Sequence, residues 1–485
     1  MTDEIKPPAA PEAPVPAAPA PVPAPIGAPK PPAKRDGYGQ LMQAGFVVAI
    51  ISFVIGWIPF AGYLGLVAIL LGAIGRAQYD REGNGKIIAT VALGGLAIVA
   101  AGIWTYLAAT ASCPHVYSWD GQAWQLDADM LSGSLYRGGE SDDVDRLESL
   151  APVDGVFRVR IANDRQEKDF VDSAVLEVVD HPAGVTALPT PSGEIALLGE
   201  TLAPLAARDY RGRDLLPVLR AEDALAWQGN AADHDLDREQ KPRDRVEVKL
   251  PAVPGPAFLV LRTHNTEAAT EALYRYLAHI GSGVGTLLEL AECDSQYPYK
   301  QRLADELERM GVPMRIELRV AGGDWQPLHK LAPIGPAALR SLALPLPAAV
   351  AGKELEVRFT AVPVAWEIDR VAIAPAAIAI AGATSRTLVP ARGLDADRPE
   401  VARLLAKPDG ERIALEQGEH VDLAFDAPAA SAPGSVRTTL LRLRGYYDVQ
   451  IGGRAFLNPL ALARHKSQED AAARYFLESL KSAGD

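Results

Sequence analysis

The chain changes its hydrophobic rhythm near residue 113. From Ala44 to Gly75 it does not alternate at all: 32 residues pass with no ionisable group except the phenol of Tyr63, and a second uncharged run follows from Ile87 to Thr110. A bilayer core needs about 20 apolar helical residues to cross, so both runs read as membrane spans. After Cys113 the pattern becomes period-two. Val156–Ile161, Val246–Leu250, Met314–Val320 and Leu355–Phe359 each place apolar residues on one face and charged residues on the other, as half-buried strands do. Phe258–Leu261 is a short continuous apolar strand, Ala174–Val179 is another strand, and Leu440–Leu443 and Val449–Ile451 are the last strand candidates.

The turns agree with this reading. Asp120-Gly121 stands between His115–Trp119 and Ala123–Leu126, a strong hairpin signal. Helices are few: 265–280, with Asn265 as its cap and Gly281 as its stop, 302–310 ending at Gly311, and 467–481. The expected fold class is therefore membrane-anchored and mainly β, built of β-sandwich-like units with a helical insertion, behind an N-terminal transmembrane hairpin plus one span. The expected divisions are a disordered Pro/Ala-rich tail (1–40), a transmembrane domain (41–110), a first β domain (113–255), a helical insertion (256–311), a second β domain (312–460) and a C-terminal helix (461–485).

Within the first apolar run, Pro59 between Gly56 and Gly62 favours a turn, giving legs 44–57 and 63–75. One long helix kinked at Pro59 is the alternative. Lys30, Lys34 and Arg35 precede the run and Arg76, Arg81 and Lys86 follow it. Excess positive charge belongs on the cytoplasmic side, which favours the hairpin. Either topology places residues 113–485 outside the cytoplasm, anchored to an inner or cytoplasmic membrane. The tail, with Pro19-Ala20-Pro21-Val22-Pro23, cannot bury enough surface to fold. It reads as a solvated linker or a docking strand for a proline-recognition partner.

Composition narrows the function. A net charge of −13 argues against binding nucleic acid through bulk charge. The two cysteines, Cys113 and Cys293, fall on the expected outer side, where they either pair as a disulfide or stand independently.

Candidate chemistry is sparse. Asp233, Asp235 and Asp237 alternate in Asp-His-Asp-Leu-Asp, a spacing that can converge on calcium. Arg238 stands where a calcium loop has glycine, and Asp244 where it has glutamate. A solvated acidic loop is the plainer reading. Asp180-His181 sits at a strand end, but neighbours on a strand face opposite ways. Gly281-Ser282-Gly283-Val284-Gly285 lacks the spacing of a phosphate loop, and neither a zinc helix nor a nucleophile elbow is present. Trp119, Trp124, Trp325 and Trp366 lie in the β regions, where they either pack in a core or stack on a sugar ring.

Several stretches resemble an uncharacterised group of bacterial membrane-anchored proteins with a small multi-span N-terminal domain of unknown function and a β-rich outer region. They include Gly83-Asn84-Gly85-Lys86-Ile87, Cys113-Pro114-His115-Val116-Tyr117-Ser118-Trp119, Gly212-Arg213-Asp214-Leu215-Leu216-Pro217, Trp366-Glu367-Ile368-Asp369-Arg370 and Gly445-Tyr446-Tyr447-Asp448-Val449. The resemblance implies fold and location and supplies no catalytic residues. Together these features give a membrane-anchored extracytoplasmic binding or assembly module, partnered by the lipid bilayer and by an envelope protein or glycan. The alternative is an envelope hydrolase whose site forms only in the fold.

Overall fold

The computed structural model describes residues 114–165, 167–234, 243–280, 313–377, 384–393 and 400–449, with Arg474, Leu477 and Glu478. All lie in the compact unit Gly102–Asp485. The chain opens with β1 (His115–Trp119), β2 (Trp124–Asp129), β3 (Ser141–Arg146), β4 (Val156–Ala162) and the long β5 (Glu167–His181). A small hairpin follows, β6 (Thr186–Pro189) and β7 (Ile195–Leu198). Next come β8 (Ala206–Asp209), helix α1 (Leu216–Leu219), β9 (Trp227–Gln228), β10 (Asp244–Leu250), β11 (Ala257–Asn265) and helix α2 (Glu267–Ile280). The middle ends with β12 (Met314–Val320), β13 (Gln326–Leu331), β14 (Arg340–Pro345), β15 (Leu355–Ala361) and β16 (Trp366–Pro375). The last stretch supplies β17 (Ser385–Pro390), β18 (Arg392–Gly393), helix α3 (Val401–Leu404), β19 (Ile413–Leu415), β20 (His420–Asp426) and β21 (Val436–Val449).

Pairing nests one sandwich inside another. The first has sheets ordered β18-β20-β4-β1-β2 and β17-β5-β21-β3, so its strands come from both ends of the described chain. Its core joins Val116, Phe157, Ile161 and Leu423 of one sheet to Leu176, Leu441 and Leu443 of the other. The second uses only the middle of the chain, with sheets ordered β14-β11-β16-β9 and β13-β12-β15-β10-β8. Leu259, Leu261 and Val371 there face Val246, Ile316 and Phe359 across a shared core. Every strand pair within these sheets is antiparallel.

The β6–β7 hairpin lies between the two sandwiches and is apolar on both faces. Leu188, Ala196 and Leu198 pack on Val260, Ala343, Ala372 and Ala374 of the second sandwich. Ala187, Ile195 and Leu197 pack on Val144, Val179 and Leu440 of the first. The small alanines of β14 and β16 let the hairpin approach closely. Charge crosses the same junction: Arg340 on β14, 4% exposed, bonds Asp143 on β3 at 2.7 and 3.1 Å and lies 2.9 Å from Asp145.

The expected hairpin is present, with Trp119 paired to Trp124 and Asp120 Oδ1 accepting from the N–H groups of Gln122 and Ala123. The cap of α2 is Thr266, whose Oγ1 accepts from Ala269 N–H at 3.0 Å. Asn265 instead accepts from Ile334 N–H, tying the helix start to the loop before β14.

The expected fold class needs one correction. The molecule is mainly β with few helices, but among the described residues no helix is long and apolar enough to cross a membrane. The longest described helix, α2, has 14 residues, about 21 Å, and opens on Glu267; a hydrocarbon core is about 30 Å thick. The expected hairpin and span at 44–110 lie outside the described residues, as do the tail, the helix at 302–310 and the glycine-rich stretch 281–285.

Candidate functional site

The exposed face of the second sandwich is a ladder of charge. In β10, β12 and β15 the residues Val246, Val248, Ile316, Leu318, Val357 and Phe359 turn inward, so their neighbours face out. The register then stacks three outer rungs. In the first, Arg245 and Arg315 flank Thr360; in the second, Glu247 and Glu317 flank Arg358; in the third, Lys249 and Arg319 flank Glu356. Cross-strand pairs of opposite charge stabilise a sheet. The second and third rungs are built that way: Arg358 Nε donates to Glu317 at 2.8 Å, and Arg319 Nε donates to Glu356 at 2.7 Å. The first rung differs, because its centre is a hydroxyl.

Over that first rung opens a cleft of about 520 Å³, lined by Tyr210, His234, Arg243, Arg245, Arg315, Glu317, Arg358 and Thr360. Four arginines against one glutamate make it basic in a chain of net charge −13. One wall is a stacked pair, Tyr210 over His234, with centroids 4.9 Å apart and planes 24° apart. His234 Nε2 is hydrogen-bonded to Asp244 at 2.9 Å, and Asp244 also accepts from Val364 N–H at 2.6 Å. Gly229 packs against that carboxylate so tightly that a Cβ would lie 1.6 Å from Asp244 Oδ2. Tyr210 donates to Asp233 at 3.1 Å, and its phenol pKa is raised by burial and by Asp244 and Asp233.

Asp233, the described member of the candidate calcium set, is engaged by arginine. Arg213 donates to its Oδ2 at 2.9 Å, and Arg211 stands 3.5 Å from Oδ1. Asp235 and Asp237 lie outside the described residues, as do Cys113 and Cys293. Among the described residues no three acids, histidines or cysteines are placed to hold a metal ion. Asp180 takes a two-point contact from Arg437 at 2.7 and 2.9 Å, while His181 bonds Thr438 at 2.8 Å. The neighbours thus serve separate contacts.

The four tryptophans do not share a surface role. Trp366 is buried in the second core at 3% exposure. Trp119 and Trp124 meet edge to face at 5.5 Å, with Arg160 over Trp124 at 4.6 Å. Trp325 lies beside the ladder with the guanidinium carbons of Arg319 and Arg358 each 4.3 Å from its ring centre. The ring holds both arginines by cation–π attraction.

A second constellation is buried in the first sandwich. Glu167 and Asp169, two apart on β5, share a face and are 1% and 0% exposed. Among the described residues no N–H or hydroxyl group donates to either carboxyl, and the two carboxyls are hydrogen-bonded to each other. Asp129, also fully buried, accepts from Ala337 N–H at 3.0 Å across the junction. Burial, with Asp129 and Asp164 nearby, pushes the Asp169 carboxyl up to about 8. Burial and the neighbouring Asp169 raise Glu167 well above the usual carboxylate range. Asp169 therefore holds its proton at neutral pH.

No family model and no curated protein matches the chain. Comparison with solved structures finds a structure of allantoicase at 8% identity, covering 45% of this chain and 76% of that one, with a TM-score of 0.19. Likeness at that level carries no argument for fold or activity.

Proposed function

We propose that the chain is a binding or assembly module whose contact surface is the basic cleft over β10, β15 and β12. One observation carries this reading: four arginines converge on a single open cleft of an acidic chain. Positive charge gathered on one surface draws an acidic ligand, and the local field speeds its approach. The partner class is therefore anionic.

The hydrolase alternative would draw on His234 and Asp244, a histidine–carboxylate pair beside the cleft. Its imidazole is only 1% exposed, which keeps it from serving as a base to a bound substrate. The binding reading is the better supported.

Titration of polyglutamate against the full chain tests it. The wild type binds, affinity falls as salt rises, and the double variant Arg245→Gln/Arg315→Gln loses the binding. Equal binding by wild type and variant, or none by either, overturns the reading.

A further inference from the structure

A cavity of about 10 Å³ lies between the two sheets of the second sandwich. Trp227, Trp366 and Ile368 of β9 and β16 close one side, and Val246, Met314 and Phe359 of β10, β12 and β15 close the other. Asp244 and Thr360 line it as well, and Thr360 also lines the basic cleft, so the two spaces share a wall. The volume is about that of one water-sized sphere. A wholly apolar cavity stays dry, but two polar groups break the apolar lining here. The first is Trp366, 3% exposed, whose buried Nε1–H meets no acceptor among the described residues. A buried indole N–H ordinarily has a partner. The second is the buried Asp244 carboxylate. Of its roughly four acceptor positions, His234 Nε2 and Val364 N–H take two.

We propose that a single buried water occupies this cavity, accepting from Trp366 Nε1–H and donating to Asp244. The site offers one donor and one acceptor, and water answers both. A cation has no lone pair for the indole N–H, and an anion is repelled by the carboxylate. The turn joining β15 to β16 keeps the space from closing. Val364 there has φ +65°, a left-handed conformation that strains a β-branched residue. It is held from two sides: its N–H donates to Asp244 at 2.6 Å, and Thr266 Oγ1 donates to its carbonyl at 2.7 Å. Thr266 N–H also donates to Ala365 O at 3.1 Å. A turn pinned in this way cannot slide inward to bring Trp366 onto Asp244. The water therefore extends the support of the cleft wall into the core, from His234 through Asp244 to Trp366. Trp366 is a positioning residue for that wall, acting through the water and the carboxylate. The inference does not depend on what the cleft binds.

Two measurements on the full chain test it. The first is a crystal structure at a resolution that orders single waters. It should show one water within about 3.2 Å of both Trp366 Nε1 and an Asp244 oxygen. The second is oxygen-17 relaxation dispersion in solution, which counts long-lived internal waters. It compares the wild type with a chain carrying 3-benzothienylalanine in place of Trp366. That ring keeps the shape of indole and puts sulfur where the N–H was, so the cavity is unchanged and only the donor is lost. The substituted chain should hold one long-lived water fewer. A dry cavity in the crystal, or a water there that does not touch Trp366, overturns the inference. An equal count of long-lived waters in the two chains also overturns it. Should the substituted chain fail to fold, the wild-type crystal structure decides alone: a water touching both groups supports the inference and its absence overturns it.

Discussion

Arg340 on β14 of the second sandwich donates both terminal nitrogens to Asp143 on β3 of the first, at 2.7 and 3.1 Å, and one of them also reaches Val144 O at 3.0 Å. The guanidinium and Asp145 are shut away from water at the junction, while the Asp143 side chain stays 18% exposed. Asp143 is held below the usual carboxylate range by Arg340 against the opposing effect of burial. Asp145, 2.9 Å from Arg340 Nε, is pushed up to about 7 by burial. One arginine thus serves two carboxylates unequally.

Breaking a buried pair by removing one partner leaves charge uncompensated, which costs about 3–5 kcal/mol. Arg340→Met is expected to lower stability by that amount, read as a shift in the urea midpoint of the full chain. Arg340→Lys restores only part of it, because an ammonium cannot make the two-point contact with Asp143.

The buried carboxyls of β5 predict a pH dependence. Asp169 titrates near 8 in the folded chain and near 3.8 when unfolded. Between those values the folded chain holds a proton that the unfolded chain has released, so stability falls as pH rises from about 4 to about 8 and levels above that. Glu167, raised in the same direction, extends the fall. Asp169→Asn removes the dependence on that group. Its stability should exceed that of the wild type at pH 8 by on the order of a few kcal/mol and converge with it near pH 4. A wild-type melting temperature that rises from pH 5 to pH 8 would count against the account.

Gly229 sets the position of Asp244, and through it the cleft wall. Alanine there would collide with the carboxylate that holds His234 and Val364 N–H. Each buried group left without its partner costs about 1–3 kcal/mol. Gly229→Ala should therefore unfold several degrees below the wild type. Gly212→Ala is the control: φ there is +79° and a Cβ meets nothing within 4 Å, so only backbone strain applies. Equal losses in both variants would show that the clash is relieved cheaply.

What could be read from the sequence depended on whether a strand has one wet face. β4, β10, β12 and β15 alternate because one side is core and the other is exposed, and all four are legible in the residue pattern. β14 and much of β16 are buried on both faces, between the second core and the β6–β7 hairpin, so their apolar runs show no period of two. The nesting was not legible either: β5 pairs with β21 across more than 250 residues, and nothing local marks that partner. The cleft had the same difficulty. The outward charges of Arg245, Arg315 and Arg358 were visible as wet positions. Only the register brings Arg245 and Arg315 to one rung, with Thr360 between them.

The most direct test of the central claim, that the cleft is the contact surface, is arginine footprinting with a dicarbonyl reagent, read by mass spectrometry with and without polyglutamate. Arg392 on the first sandwich, with a side chain 55% exposed, is the internal control. The account predicts that the ligand slows modification of Arg245 and Arg315 while Arg392 reacts at its free rate. Uniform protection of all three, or unchanged reactivity at Arg245 and Arg315, would contradict it.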